Sequence, residues 1–106
     1  MTANKHTPGK WYTHRSGFST VYVEARIGGG MVQEVAACGP TEAGPEQQEA
    51  NARLISAAPE LLDALCDALI VMEASAEVRH GKGWTAVENS PIAKARAAIA
   101  KAGGAA

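Results

Sequence analysis

Aromatic residues are scarce in this 106-residue chain: two Trp, two Tyr and one Phe, 5% of the whole. Its core must therefore be filled by alanine and aliphatic residues, each contributing at about 25 cal/mol per Å² of buried area. Cysteine is nearly lacking too. Cys38 and Cys66 lie far apart and no Cys-x-x-Cys occurs, which argues against a disulfide scaffold. Both sit in apolar runs and are expected to be buried free thiols in a reducing cytosol. Long hydrophobic runs are missing: the longest, "ALIVM" (Ala68–Met72), is far too short to span a bilayer. The N-terminal "MTANKHTPGKW" lacks the apolar stretch of a signal peptide. Charge of one sign does not dominate either. The net charge is −1, so no global field selects nucleic acid or a membrane surface.

What is present suits one small domain spanning residues 1–106. A chain of this size buries about 65% of its unfolded surface, enough for one modest core. A thin, alanine-rich core is an argument for oligomerisation, which adds buried surface. Charge is unevenly spread. Residues 1–44 carry four Lys/Arg against three Glu, residues 45–81 two Arg against seven acids, and residues 82–106 four Lys/Arg against Glu88. An acidic middle beside a basic tail fits solvated helix faces and would also suit head-to-tail self-association.

Period and punctuation give the elements. "TPGKW" (Thr7–Trp11) reads as a turn, with Pro8 fixing φ and Gly9 free to be left-handed. "FSTVYVEARI" (Phe18–Ile27) places Val21 and Val23 on one face and Thr20, Tyr22 and Glu24 on the other, the pattern of a half-buried strand. The "GGG" at Gly28–Gly30 leads into a second strand, Met31–Cys38, making a β-hairpin. "KWYTH" (Lys10–His14) is expected as a third, edge strand. A connector, Gly39–Gln48, is punctuated by Pro40, Gly44 and Pro45. A helix then runs from Pro45 to about Ala57. Within "ANARLISAAPELLDAL" (Ala50–Leu65) a proline in mid-helix would cost about 3 kcal/mol. In the first turn of a new helix it costs almost nothing. We therefore expect a break, with a second helix over Pro59–Arg79 that carries an apolar stripe and an acidic outer side, Glu60, Asp63 and Asp67. Gly81 caps it, Ser90 and Pro91 open a third helix, and Ile92, Ala95, Ile99 and Ala102 form its apolar stripe. The terminal "GGAA" is expected to fray. The fold class expected is α+β: an N-terminal antiparallel sheet of about three strands within residues 1–38, packed with three C-terminal helices within residues 45–102.

Chemistry-bearing patterns are few. The triple glycine lacks the Gly-Lys-Ser/Thr and following helix of a phosphate-binding loop, so a hairpin turn is expected. His6, His14 and His80 have no metal-ligand spacing, and neither cysteine has the polar context that activates a thiol. Asp63 and Asp67, one helical turn apart, read as a solvated acidic face. Trp11 and Trp84 are expected to supply the large pieces of the core. We expect no catalysis, no cofactor and no metal. Candidate contacts to a partner or ligand are Lys10, Trp11, Arg15, Arg26 and Arg53. Basic residues of the sheet (Lys10, Arg15, Arg26) or of the last helix (Lys94, Arg96, Lys101) offer an alternative role in nucleic-acid binding, which would be steeply salt-dependent. The second helix is apolar over so much of its circumference that a homo-oligomer is expected, with Leu61, Leu65, Leu69, Ile70, Val71 and Met72 at its interface.

Three stretches together, "HTPGKW" (His6–Trp11), "ANARLISAAPELLDAL" (Ala50–Leu65) and "ARAAIAKAGG" (Ala95–Gly104), resemble a widespread group of small phage and prophage accessory proteins. These typically begin near His-Thr-Pro-Gly-Pro-Trp and continue to Ala-Asn-Ala-Arg-Leu-Ile-Ala-Ala-Ala-Pro-Glu-Leu-Leu. The matching pieces cover about a third of the chain. The sixteen-residue central piece carries the specificity, and Lys10 departs from the usual proline. The resemblance carries over no catalytic residue. It implies a phage accessory gene expressed in a bacterial cytoplasm, and a product that binds: one that blocks a host protein or sequesters a small signalling nucleotide, as an anti-defence inhibitor would.

Overall fold

The computed structural model describes residues 5–17 and 19–103. The start of the expected strand at Phe18 and the end of the "GGAA" tail lie outside the described residues. The element order is β1 (Trp11–Ser16), β2 (Thr20–Ile27), β3 (Met31–Cys38), α1 (Pro45–Ser56), α2 (Ala58–His80) and α3 (Pro91–Lys101). The arrangement is the expected α+β, three antiparallel strands followed by three helices. The chain divides into two compact units, Lys5–Pro59 and the residues from Glu60 onward. The first helix thus groups with the sheet, and the other two group with each other.

In the first unit the strand order is β1-β2-β3, with both pairings antiparallel. Trp11 stands opposite Ala25 and Arg15 opposite Val21. On the other side Val21 faces Cys38 and Ile27 faces Met31, with a bulge opposite Val23 and Glu24 that leaves Val35 as the extra residue. Such a bulge bends an edge strand and disrupts further pairing. The glycines do form the hairpin connection, as a single 3₁₀ turn in which Gly29 takes φ +79°, a conformation costly for any residue with a Cβ. Period-two alternation sends Val21, Val23 and Ala25 to one face, all of them buried. Ala52 of α1 packs there, with Trp11, Val35, Ala36, Cys38 and Ile55 around it.

One polar side chain is buried in this unit. Gln48 of α1 is 2% exposed. Its amide donates to the Ser19 carbonyl at 2.9 Å and the Cys38 carbonyl at 2.8 Å, and its oxygen accepts from Arg15 at 3.2 Å. It joins β1, the β1–β2 turn and the end of β3. Glu49, one residue on, takes the Nε of the same Arg15 at 2.9 Å.

The break at Pro59 is as expected. The Ala57 N–H closes α1 on the Arg53 carbonyl at 3.1 Å, and α2 starts at Ala58 with Pro59 in its first turn. In the second unit Leu69, Ala95 and Ile99 are buried together, and Leu62, Leu65, Cys66, Met72 and Ile92 pack against them. Gly81, at φ +82°, terminates α2 and donates to the Glu77 carbonyl at 2.7 Å. Ser90 caps α3, its hydroxyl accepting from the Ala93 N–H at 3.3 Å, with Pro91 next in line.

Candidate functional site

Because α1 packs on one face of the sheet, alternation leaves the other face uncovered within this unit. That face carries Tyr12 and His14 from β1, Tyr22, Glu24 and Arg26 from β2, and Val32 and Glu34 from β3. Tyr12, Tyr22 and Glu24 are half-buried, whereas His14, Arg26, Val32 and Glu34 are exposed. His14 Nδ1 lies 3.3 Å from Glu24 Oε1. The Arg26 guanidinium sits 5.9 Å above the Tyr12 ring, an arrangement that cation–π attraction stabilises. Across the β2–β3 ladder Glu24 stands directly opposite Glu34. Like charges facing each other on a sheet are unfavourable, and nothing in the core requires this pair.

The structure distributes the candidate contacts. Arg26 belongs to the open face. Trp11 does not: it is half-buried against the core on the α1 side, its indole N–H donating to the Thr7 carbonyl at 3.0 Å and its ring meeting His6 edge-on at 5.8 Å. Arg15, a candidate partner contact, donates to Glu49 and Gln48. Lys10, just before β1, and Arg53, on α1, are exposed. Among the described residues no cluster of three His, Cys, Asp or Glu could hold a metal ion, and Cys38 and Cys66 are free thiols.

In the second unit the expected interface separates into two sets. Leu69 is buried, and Leu65 and Met72 pack with it against α3. The cover expected from a partner is, for these three, supplied by the chain's own last helix. Leu61, Ile70 and Val71 remain exposed, at 53%, 65% and 68%, joined by Val78 at 87%. Between the end of α2 and the start of α3 lies a groove of about 420 Å³, lined by residues that include Val71, Ser75, Arg79, His80 and Pro91. Trp84, expected in the core, is half-buried beneath the Arg96 guanidinium at 5.5 Å. Arg96 in turn donates to Glu73 at 2.7 Å.

Sequence reasoning missed the open face as a unit, although the signal was there. Tyr22, Glu24 and Arg26 share one parity on β2, opposite to that of Val21 and Val23. Adding Tyr12 and His14 required the register of β1, and adding Glu34 required the position of the bulge. No helix among the described residues is long and apolar enough to cross a membrane. One family profile, described as Salmonella phage P22 protein Y8K6, matches residues 1–106. No curated protein and no solved structure matches the chain.

Proposed function

The chain belongs to the Salmonella phage P22 protein Y8K6 family, and on that premise we propose that it acts by binding rather than catalysis, engaging a host protein through the open face of its sheet. The observation that carries this reading is the facing Glu24–Glu34 pair beside Tyr12, Tyr22 and Arg26. A local conflict left standing on an exposed face, where the fold gains nothing from it, is characteristic of a functional surface. Tyrosine and arginine are also the side chains that dominate protein-binding hot spots. The partner that fits presents a lysine or arginine between the two carboxylates. Interference with a host antiviral defence in the bacterial cytoplasm is the setting we propose for it.

The rival reading, a nucleic-acid-binding regulator, is disfavoured by where the cations are spent. Arg15 is bound to Glu49 and Arg96 is bound to Glu73, and the open face carries two glutamates beside its one arginine, Arg26. Affinity-tagged full-length chain, expressed in bacteria and purified at moderate salt, distinguishes the two. Stoichiometric co-purification of a single host protein is expected. A gel shift of DNA or RNA that weakens by orders of magnitude between low and moderate salt would transfer the assignment to the rival.

A further inference from the structure

We propose that α2 pairs with α2 of a second copy of this chain, antiparallel, about a two-fold axis at Val71. Each step rests on the second unit alone. Its core is small: among its described residues Leu69, Ala76, Ala95 and Ile99 are the buried apolar ones, and α2 and α3 are the only helices. Such thin units are usually completed by oligomerisation. The core side of α2 is the row Leu62, Leu65, Leu69, Met72 and Ala76. About half a turn away runs a second row at alternating spacings of four and three: Glu60, Ala64, Asp67, Val71, Ala74 and Val78, the repeat of a helix-pairing seam. All six residues of that row are exposed. Val71 is also a wall of the groove beside α3, so a helix laid along the seam covers part of that groove.

Two features select a second copy as the occupant. The first is charge. The exposed side of the first half of α2 carries Glu60, Asp63 and Asp67 and no base, while Arg79, His80 and Lys82, beside the single acid Glu77, gather at its far end. An antiparallel copy centred on Val71 brings the acidic start of each helix, at Glu60, to the basic end of the partner copy's helix, at His80 and Lys82. A parallel copy would stack acid on acid. The second is size. In the same register Ala64 meets the level of Val78 and Ala68 that of Ala74, so each of these levels has an alanine on at least one helix and the helices can approach closely. A 23-residue helix is about 34 Å long. Two of them side by side bury on the order of the 1,200 Å² at which stable interfaces begin.

The test is the mass of the full chain in solution and its response to substitution. Light scattering at tens of micromolar should give twice the 11.0 kDa chain mass. Val71→Glu and Val78→Glu should each weaken the dimer at least about a hundredfold, because each places two new charges in a desolvated seam. Leu54→Glu, on the exposed side of α1, should leave it intact. An unchanged circular dichroism spectrum checks that the charged variants still fold. A cross-link covers the case in which they do not: in a Cys38→Ser/Cys66→Ser background, oxidation should join copies through Val71→Cys and not through Ala74→Cys. A monomer at this concentration, a dimer indifferent to Val71→Glu, or efficient cross-linking through Ala74→Cys would each overturn the proposal.

Discussion

Gln48 shows how much a single residue can organise. A buried amide is stable only when its donors and acceptor are matched, and here the carbonyls of Ser19 and Cys38 and the guanidinium of Arg15 match all of them. Gln48→Leu keeps the volume and removes every bond, leaving two carbonyls without their donor. It should lower the stability of the sheet unit by about 2–4 kcal/mol in urea denaturation. Gln48→Glu should be at least as damaging, since a carboxylate cannot donate to those carbonyls. Arg15→Ala, which removes a half-exposed ion pair and one bond to Gln48, should cost about 1 kcal/mol. If the leucine variant melted like the wild type, the amide would have no structural role. In the other unit Ile99 is fully buried, and Ile99→Ala should cost about 2–5 kcal/mol through lost burial and the cavity left behind. Nothing local announces Gln48. It sits in a polar run, "PEQQEANAR", and its burial follows from sharing a helix face with Ala52, four residues on, and from that face meeting the sheet.

At the scale of elements the sequence is far more legible, because the signals are local. Pro45, Pro59 and Ser90–Pro91 mark the three helix starts to within a residue or two, each by chemistry confined to a first turn. Ser90→Ala should therefore destabilise α3 by about 1 kcal/mol. Pro59→Ala should cost about 1–2 kcal/mol, from the buried ring it truncates and not from the backbone, since a first-turn proline has no helical hydrogen bond to lose; a larger loss, of about 4 kcal/mol or more, would mean that proline itself holds the break. The strands were legible in kind and less so in extent: β1 begins at Trp11 and continues to Ser16, beyond the stretch that alternation alone marks. What local pattern could not reveal is pairing. The bulge at Val35, the facing glutamates and the cover that α3 gives to Leu65, Leu69 and Met72 all depend on residues distant in sequence. The Glu24–Glu34 register yields its own prediction. Glu34→Lys replaces a like-charge pair with an opposite one and should stabilise the sheet unit by about 0.2–1 kcal/mol, read as a higher denaturation midpoint.

For the whole molecule, binding follows from how the surface is divided. One sheet face is spent on α1, and the other displays tyrosines, an arginine and a carboxylate pair that weakens the fold. The acidic exposed side of α2 and the basic end of that helix are the surface proposed for a second copy, so the two proposed surfaces, for self-association and for a host protein, are different sets of residues. The most direct measurement of the binding claim is quantitative capture of host proteins from bacterial lysate by three forms of the full chain: wild type, Tyr22→Ser/Glu34→Lys, and a Leu54→Ser control on α1. One host protein should be captured by wild type and control and reduced at least tenfold with the double variant, although Glu34→Lys alone should stabilise the fold. Equal capture by all three forms would contradict it and remove the open sheet face as the binding surface.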